Sequence, residues 1–462
     1  MKFRTLAAAF AASALALTAI GCSDNGTQDV AAPGETAAPE EAEGEVLEGA
    51  PAPEGATELD MWVFAELHGA VYDEMAQQWN EENPDKAVDL NITVYPYQDM
   101  HDKLLLAFNA NEGLPDLVDI EVNKFSNFVR GDNPPLHDLT AAAEPYTDDI
   151  VQARLDLYTR NGKIYGYPTH IGAFVAFYNE ELLEEAGIDY TTIETWDDFK
   201  EAGATYNEAT GNAFSTANTG VMFTEPLVVA QLGGQMFEDN GMGRVSVNSP
   251  EVVEALEMFS DMQEAGAITP IPGGSPDAEE AYGAINSGDY AAIVYPAWYT
   301  SRFVDYMPDL AGKIAIAPAP VIEGSDTLTI GGGGTGLAVP AASEHAELAA
   351  EFNAFAKLSL PANIAVWEVL GFDPVNMSVW EDEEITHNPD NKFNQYFTTN
   401  LFDVLNSMQD GIGHFESFAN PNLPPVDNMF RTVTLNEIYE NGTPVQEALD
   451  QAQADLENEL GE

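Results

Sequence analysis

The chain has 462 residues and a formal charge of −62 at pH 7, from 78 acidic against 16 basic side chains. Such a field repels nucleic acid, anionic lipid surfaces and polyanionic ligands, which argues against all three as partners. Its single cysteine, Cys22, rules out an internal disulfide and a cysteine-based zinc site.

Lys2 and Arg4 precede an apolar run that is too short to span a bilayer and ends in small residues, so residues 1–21 read as an export signal. Ala19-Ile20-Gly21-Cys22 resembles the bacterial lipoprotein box. That likeness implies a lipidated Cys22 as the mature N-terminus and an exported chain, anchored on the outer face of the cytoplasmic membrane. Residues 23–57 contain no aromatic and no basic residue and are rich in Glu, Pro, Ala and Gly. A segment of that composition buries too little apolar surface to order itself, so 22–57 is expected to be a disordered acidic tether reaching about 30 Å.

The remainder is long enough for two or more domains. Leu59 to Phe64 reads as a strand, followed by a helix carrying Val71, Met75 and Trp79 at helical spacing. Val88 to Val94 is a second strand, then a helix with Leu104, Leu105 and Phe108 on one face, then the short strand Leu117 to Ile120. Strands alternating with helices predict an α/β fold with a mostly parallel sheet. Further on, Thr195-Trp196-Asp197-Asp198 has the form of a capping box. Ser249-Pro250 opens a helix that Gly266 ends, and Ser343 begins one with the stripe Leu348, Phe352 and Phe355. The acid excess runs along the whole chain and reads as a solvated surface suited to a saline exterior, a halophilic character.

Gly331-Gly332-Gly333-Gly334-Thr335-Gly336 matches a dinucleotide fingerprint in letters but leads into the strand Leu337 to Pro340. No helix N-terminus follows to hold a pyrophosphate. Backbone flexibility or close approach to a ligand is the expected reason for these glycines. The seven histidines include no HExxH and no i, i+4 pair, so neither a metal nor any other cofactor is expected. No GxSxG elbow is present. Asp119 and Glu121 could serve as paired carboxylates of a glycoside hydrolase or lyase, although such pairs arise by chance in so acidic a chain. Large rings at strand ends favour carbohydrate, because sugars stack their C–H faces on aromatics and need paired polar groups for their hydroxyls. Trp298 and Tyr299, where a strand runs into a loop, are the best case. Trp62, Phe64, His68, His170, Phe174 and Trp367 fit a ligand contact or a core position equally well.

Several segments, in order, resemble the family of extracellular solute-binding proteins serving ATP-driven sugar importers. They are Asn83-Pro84-Asp85, Gly113 to Val118, Asn161 to Pro168, Phe177 to Leu183, Ala186-Gly187-Ile188, Thr195 to Phe199, Gly288 to Ala292 and the glycine run. Receptors for arabinose or arabino-oligosaccharides are similar through Tyr167 to Gly172, Trp298-Tyr299 with Arg302-Phe303, Asp305 to Leu310 and Val369 to Pro374. The likeness implies a two-lobed periplasmic-binding-protein-like fold of type II, without catalysis, as a monomer working with the transmembrane subunits of a permease. By likeness, one lobe takes 58–167 and 332–375, and the other takes 168–331 and 376–460. It also implies ligand contacts at Phe64, Glu66, His68, Asp119, Glu121, His170, Phe174, Trp298, Tyr299, Arg302, Gly333, Trp367 and Phe430. Gly172 stands where maltose-binding members carry a carboxylate. A receptor for a non-sugar solute is a further alternative.

Overall fold

The computed structural model describes residues 44–131 and 133–462. The export signal, Cys22 and the first half of the tether therefore lie outside the described residues. Two sheets organise the rest. The first has the order β1-β3-β2-β4-β13-β7, from β1 (Glu45–Val46), β2 (Thr57–Val63), β3 (Val88–Val94), β4 (Leu117–Glu121), β7 (Tyr167–Pro168) and β13 (Thr335–Ala338). Between β4 and β7, β5 (Thr159–Arg160) and β6 (Lys163–Ile164) form a small hairpin. The second sheet is β11-β8-β12, with β8 (Phe174–Asn179), β11 (Ala292–Pro296) and β12 (Ile314–Pro318), beside a parallel pair of β9 (Ser215–Ala217) and β10 (Ile268–Pro270).

β2 runs parallel to β3 and β4, because the helices Glu66–Glu82 and Tyr97–Ala110 carry the chain back between them. The sheet is nevertheless mixed rather than mostly parallel: β1, β13 and β7 all join it antiparallel to their neighbours. The first helix buries Val71, Met75 and Trp79 as their spacing predicts. In the second, Met100, Leu104 and Ala107 form the buried stripe and Leu105 turns outward to 40 % exposure, since each step rotates a side chain by about 100°.

Residues 44–50 correct the extent of the tether. Val46 pairs with Thr93, Leu47 N donates to Ile92 O (3.0 Å), and Ala50 N donates to Asp73 Oδ1 (2.9 Å). Leu47, the one leucine between residues 23 and 57, supplies the apolar contact that composition alone averaged away. Its methyl fills the space over Gly69, where a Cβ would lie 2.3 Å from it.

Helix boundaries follow the capping chemistry. Thr195 and Asp198 form the reciprocal capping box. Pro250 takes the first turn of Pro250–Glu264, although the Ser249 hydroxyl finds no partner among the described residues. The helix expected from Ser343 starts at Ala346, with Ser343 Oγ accepting from His345 N (3.0 Å) one turn earlier.

Three segments connect the two sheets and lie side by side: 168–174, 329–335 and 371–376. His170 bridges Pro374, Ala173 bridges Gly331, and Gly332 N donates to Gly172 O (2.8 Å). Asp373, fully buried, accepts from Gly172 N (3.1 Å) and Ala173 N (2.7 Å), tying the first crossing to the third. The close approach explains the glycines. A Cβ on Gly172 (φ +70°) would sit 2.4 Å from Gly332 O, and one on Gly336 would sit 2.3 Å from the Tyr158 ring.

Candidate ligand-binding site between the lobes

A cavity of about 470 Å³ opens where the C-terminal ends of β2, β4 and β11 meet the crossing segments. That is where α/β sheets bind ligands, because loops leaving strand ends converge there. On the side of the first sheet it is lined by Phe64, His68, Tyr97, Glu121 and Lys124. On the other side stand Phe223, Asp277, Trp298, Arg302, Asp427 and Arg431, and the crossings supply His170, Gly333 and Phe372.

His68 is positioned from beneath. Its Nδ1 lies 3.1 Å from Asp119 Oδ2, and Asp119 Oδ1 lies 3.3 Å from the buried Lys357 ammonium, which also donates to Thr169 Oγ1. Burial alone would raise the Asp119 carboxyl, but Lys357 and His68 hold it below the usual carboxylate range. Removing one member of such a pair leaves an uncompensated charge and costs about 3–5 kcal/mol. Asp119, expected at the ligand, instead orients His68 from a fully buried position.

His170 is buried, yet neither ring nitrogen finds a partner among the described residues. Its ring packs 4.8 Å from Phe372, centroid to centroid. Burial, then the nearby Arg154 guanidinium, holds the imidazole neutral by pushing its pKa well below the ordinary value. A neutral imidazole carries one donor and one acceptor, both unused here. Arg154 itself donates through Nη2 to Gly333 O (2.6 Å), so the glycine run is held by side chains under it.

Trp298 follows β11 in a tight turn, and its Nε1 donates to Gly332 O (3.0 Å), which fixes the indole plane at the cavity wall. The Arg302 guanidinium carbon lies 5.3 Å from the ring and its Nε donates to Asp277 Oδ1 (2.7 Å). Phe223 packs edge-on against Trp298 at 6.2 Å.

Glu121 and Asp427 approach from opposite sides. Glu121 Oε2 accepts from Asn123 N (2.8 Å) and Tyr97 OH (3.2 Å). Burial, then the Asp427 charge, pushes the Glu121 carboxyl up to about 7, and Asp427 is raised by its own burial. Among the described residues no group of three or more His, Cys, Asp or Glu side chains is arranged to hold a metal.

The cavity thus gathers Phe64, His68, Glu121, His170, Trp298, Arg302 and Gly333. Besides Asp119, the other candidates also lie elsewhere. Glu66 is exposed in the first turn of its helix. Phe174 is buried against Gly332, and Tyr299 turns inward with its hydroxyl donating to Pro276 O (2.6 Å). Trp367 packs between Phe393 and Phe402, at 5.3 and 4.9 Å. Phe430 is wholly buried, because Asp427 and Arg431, four residues apart on one helical face, are the ones turned to the cavity. Trp62 is buried beside Tyr95 and does not line the cavity. Sequence reasoning missed Tyr97, Phe223, Asp277, Phe372, Asp427 and Arg431. Tyr97 follows a strand's C-terminal end and Phe372 sits in the Gly371-Phe372-Asp373-Pro374 segment, signals that could have found both.

The profile of the family described as bacterial extracellular solute-binding protein matches residues 65–358. An arabinooligosaccharide-binding protein of Bacillus subtilis is 40% identical over 407 residues, 87% of this chain and 92% of that one. Its counterpart from Halalkalibacterium halodurans is 41% identical over 406 residues, covering 87% and 90%. Among solved structures, a transporter-associated binding protein from B. animalis subsp. lactis, in complex with beta-1,6-galactobiose, superposes with a TM-score of 0.71 at 20% identity, covering 87% of this chain and 97% of that one. That likeness carries the two-lobed fold, while the sequence matches carry kinship: the chain belongs to the bacterial extracellular solute-binding protein family.

Proposed function

We propose that this protein is the receptor of a carbohydrate importer, capturing an arabinose-containing oligosaccharide in the cleft by lobe closure and delivering it unchanged to a permease. The observation that carries this is the cavity itself: the rings of Trp298, Phe223 and Phe372 line it together with the neutral His170, whose donor and acceptor are unpartnered among the described residues. Flat apolar faces next to free hydrogen-bonding groups match the two surfaces of a sugar ring. The two relatives described as arabinooligosaccharide-binding support the choice of sugar. The lobes are taken as 58–167 with 332–375, and 168–331 with 376–460. Sugar bridging them stabilises the closed form, which is the state a permease reads. Phe64, His68, Glu121, His170, Trp298, Arg302 and Gly333 are the proposed contacts.

Export through residues 1–21, lipidation at Cys22 and a monomeric state complete the reading, and the acid excess suits a saline exterior. Isothermal calorimetry with arabino-oligosaccharides, malto-oligosaccharides and arabinose tests the ligand. Saturable one-to-one heat is expected with the arabinose-containing chains, and absence of heat with every sugar sinks the proposal. The facing carboxylates Glu121 and Asp427 favour one rival, a glycoside hydrolase. Chromatography of the incubated sugar decides between them, since recovery of shortened products contradicts a receptor.

A further inference from the structure

We propose that Tyr282 and Tyr306 form an outer carbohydrate subsite, on which a neutral sugar residue docks as the continuation of a chain held in the cavity. This rests on the cavity being a sugar site. The two rings stack in parallel, 4.6 Å between centroids and 6° between planes. Tyr282 belongs to the helix Glu279–Asn286 and Tyr306 ends the helix Thr300–Tyr306. Tyr306 is 54% exposed, so the pair presents a flat aromatic surface to solvent.

Two independent connections bring this surface to the cavity rim. Tyr282 OH donates to Asp277 Oδ1 (2.6 Å), the same oxygen that accepts from Arg302 Nε (2.7 Å), and both Asp277 and Arg302 line the cavity. Arg302 and Tyr306 are four residues apart on one helix and share a face, so Tyr306 sits about 6 Å along the helix axis from the Arg302 that lines the cavity. Trp298, in the turn before this helix, Arg302 and Tyr306 set three flat groups at four-residue intervals, the first two 5.3 Å apart.

The chemistry selects the occupant. The Tyr282 hydroxyl and the Arg302 guanidinium are both committed to Asp277, which leaves the platform no free charge to offer. What remains is an aromatic face, pinned through Tyr282 and so ordered before any ligand arrives. Such a face suits the C–H side of an uncharged sugar ring. A residue bound there adds affinity only to chains that extend beyond the cavity.

The test is calorimetry of the full chain against an arabino-oligosaccharide length series, for the wild type, Tyr306→Ala and Tyr306→Trp. Wild-type affinity is expected to rise about five- to tenfold at the length that first reaches the platform. Tyr306→Ala should abolish that increment while binding the shorter chains unchanged, and Tyr306→Trp should keep it. Thermal unfolding of each variant checks that this exposed position leaves the fold intact. Three results overturn the subsite: no increment with length in the wild type, an increment that survives Tyr306→Ala, or a loss equal at all lengths. Failure of the wild type to bind any sugar removes the cavity reading and the subsite together, and is distinguished by the absence of heat with short chains as well.

Discussion

His170, in the cavity wall, holds one donor and one acceptor that are unpartnered among the described residues, in a ring held neutral. Removing the imidazole with His170→Ala is expected to weaken sugar binding about tenfold, the worth of one or two hydrogen bonds that no other side chain replaces. Because the imidazole is already neutral well below the ordinary histidine range, the loss on removing it should be the same at pH 6 and at pH 8. Calorimetry at both pH values checks the two claims, and unchanged affinity in the variant contradicts the role. At this scale the sequence was half legible. Trp298 and His170 could be picked out because a ring at a strand end, or a polar ring in a crossing segment, is unusual in a core. Trp367, Tyr299 and Phe430 carry the same letters and the same local signals. What sends them inward is the helical phase and the packing of partners such as Phe393 and Phe402, distant in sequence. Asp119 shows the opposite case, a carboxylate at a strand end whose partner Lys357 lies 238 residues away and draws it beneath the site.

Among the elements, the crossing segments depend most on backbone. At Gly172 a side chain meets both a left-handed φ of +70° and the Gly332 carbonyl, which a Cβ would approach to 2.4 Å. Gly187 has a similar φ of +73° but open space around it. Alanine at Gly187 is therefore expected to cost about 1 kcal/mol, the conformational term alone. Alanine at Gly172 should cost about 2 kcal/mol or more beyond that, because the two crossings must separate. Urea unfolding of the two variants measures the difference, and equal losses would show that the crossing contact is soft. Helices were legible here through spacing and caps, as with the stripe Val71, Met75 and Trp79 or the box at Thr195. Strand direction was not. β13 enters the first sheet antiparallel after a long excursion through the second, and nothing local to Thr335–Ala338 encodes which neighbour it meets. The glycine run was recognised as a place of close approach, but its partners proved to be another crossing and the side chains of Trp298 and Arg154.

Over the whole molecule, stability should depend on pH through three buried carboxyls. Glu121, Glu225 and Asp373 are each pushed up to about 7, first by burial. The folded state keeps protons that the unfolded chain releases near pH 4, so these groups stabilise the fold most at acid pH and lose that contribution as pH rises to about 7. His101, pushed down to about 4 by burial, and His170 act in the opposite sense, but only below the ordinary histidine value near 6.5. Unfolding free energy is therefore expected to fall as pH rises toward about 7, most steeply above pH 6.5 where the histidines no longer offset it, by up to about 1.4 kcal/mol per pH unit for each proton released, and to level off beyond. Glu225→Gln should flatten that slope; an identical slope in the variant argues against Glu225 as a contributor. The net charge of −62 adds a second dependence. Screening relieves self-repulsion, so the thermal midpoint should climb from low to multimolar salt, and a flat response would mean that the acidic surface is not an adaptation to salt. Two lobes, a cleft and the family were legible from ordered segments spread over the chain. The ordered stretch around Leu47 was not, since two apolar residues vanish in the average of an acidic, proline-rich segment.

That short stretch alters how the protein can fail. Without β1, the strand β3 would become the rim of the six-stranded sheet, with unpaired N–H and C=O groups near Ile92 and Val94 free to template another chain. β1 caps this rim with a strand of two residues, too short to recruit a neighbour itself, and flanks it with the negative charges of Glu45 and Glu48. A chain beginning at Thr57 should keep its cleft and its ligand, yet self-associate on concentration as the longer chain does not. Light scattering of the two at equal concentration reads this directly. In that sense the stretch of the tether around β1 would act as a guard against aggregation at the edge of the first lobe.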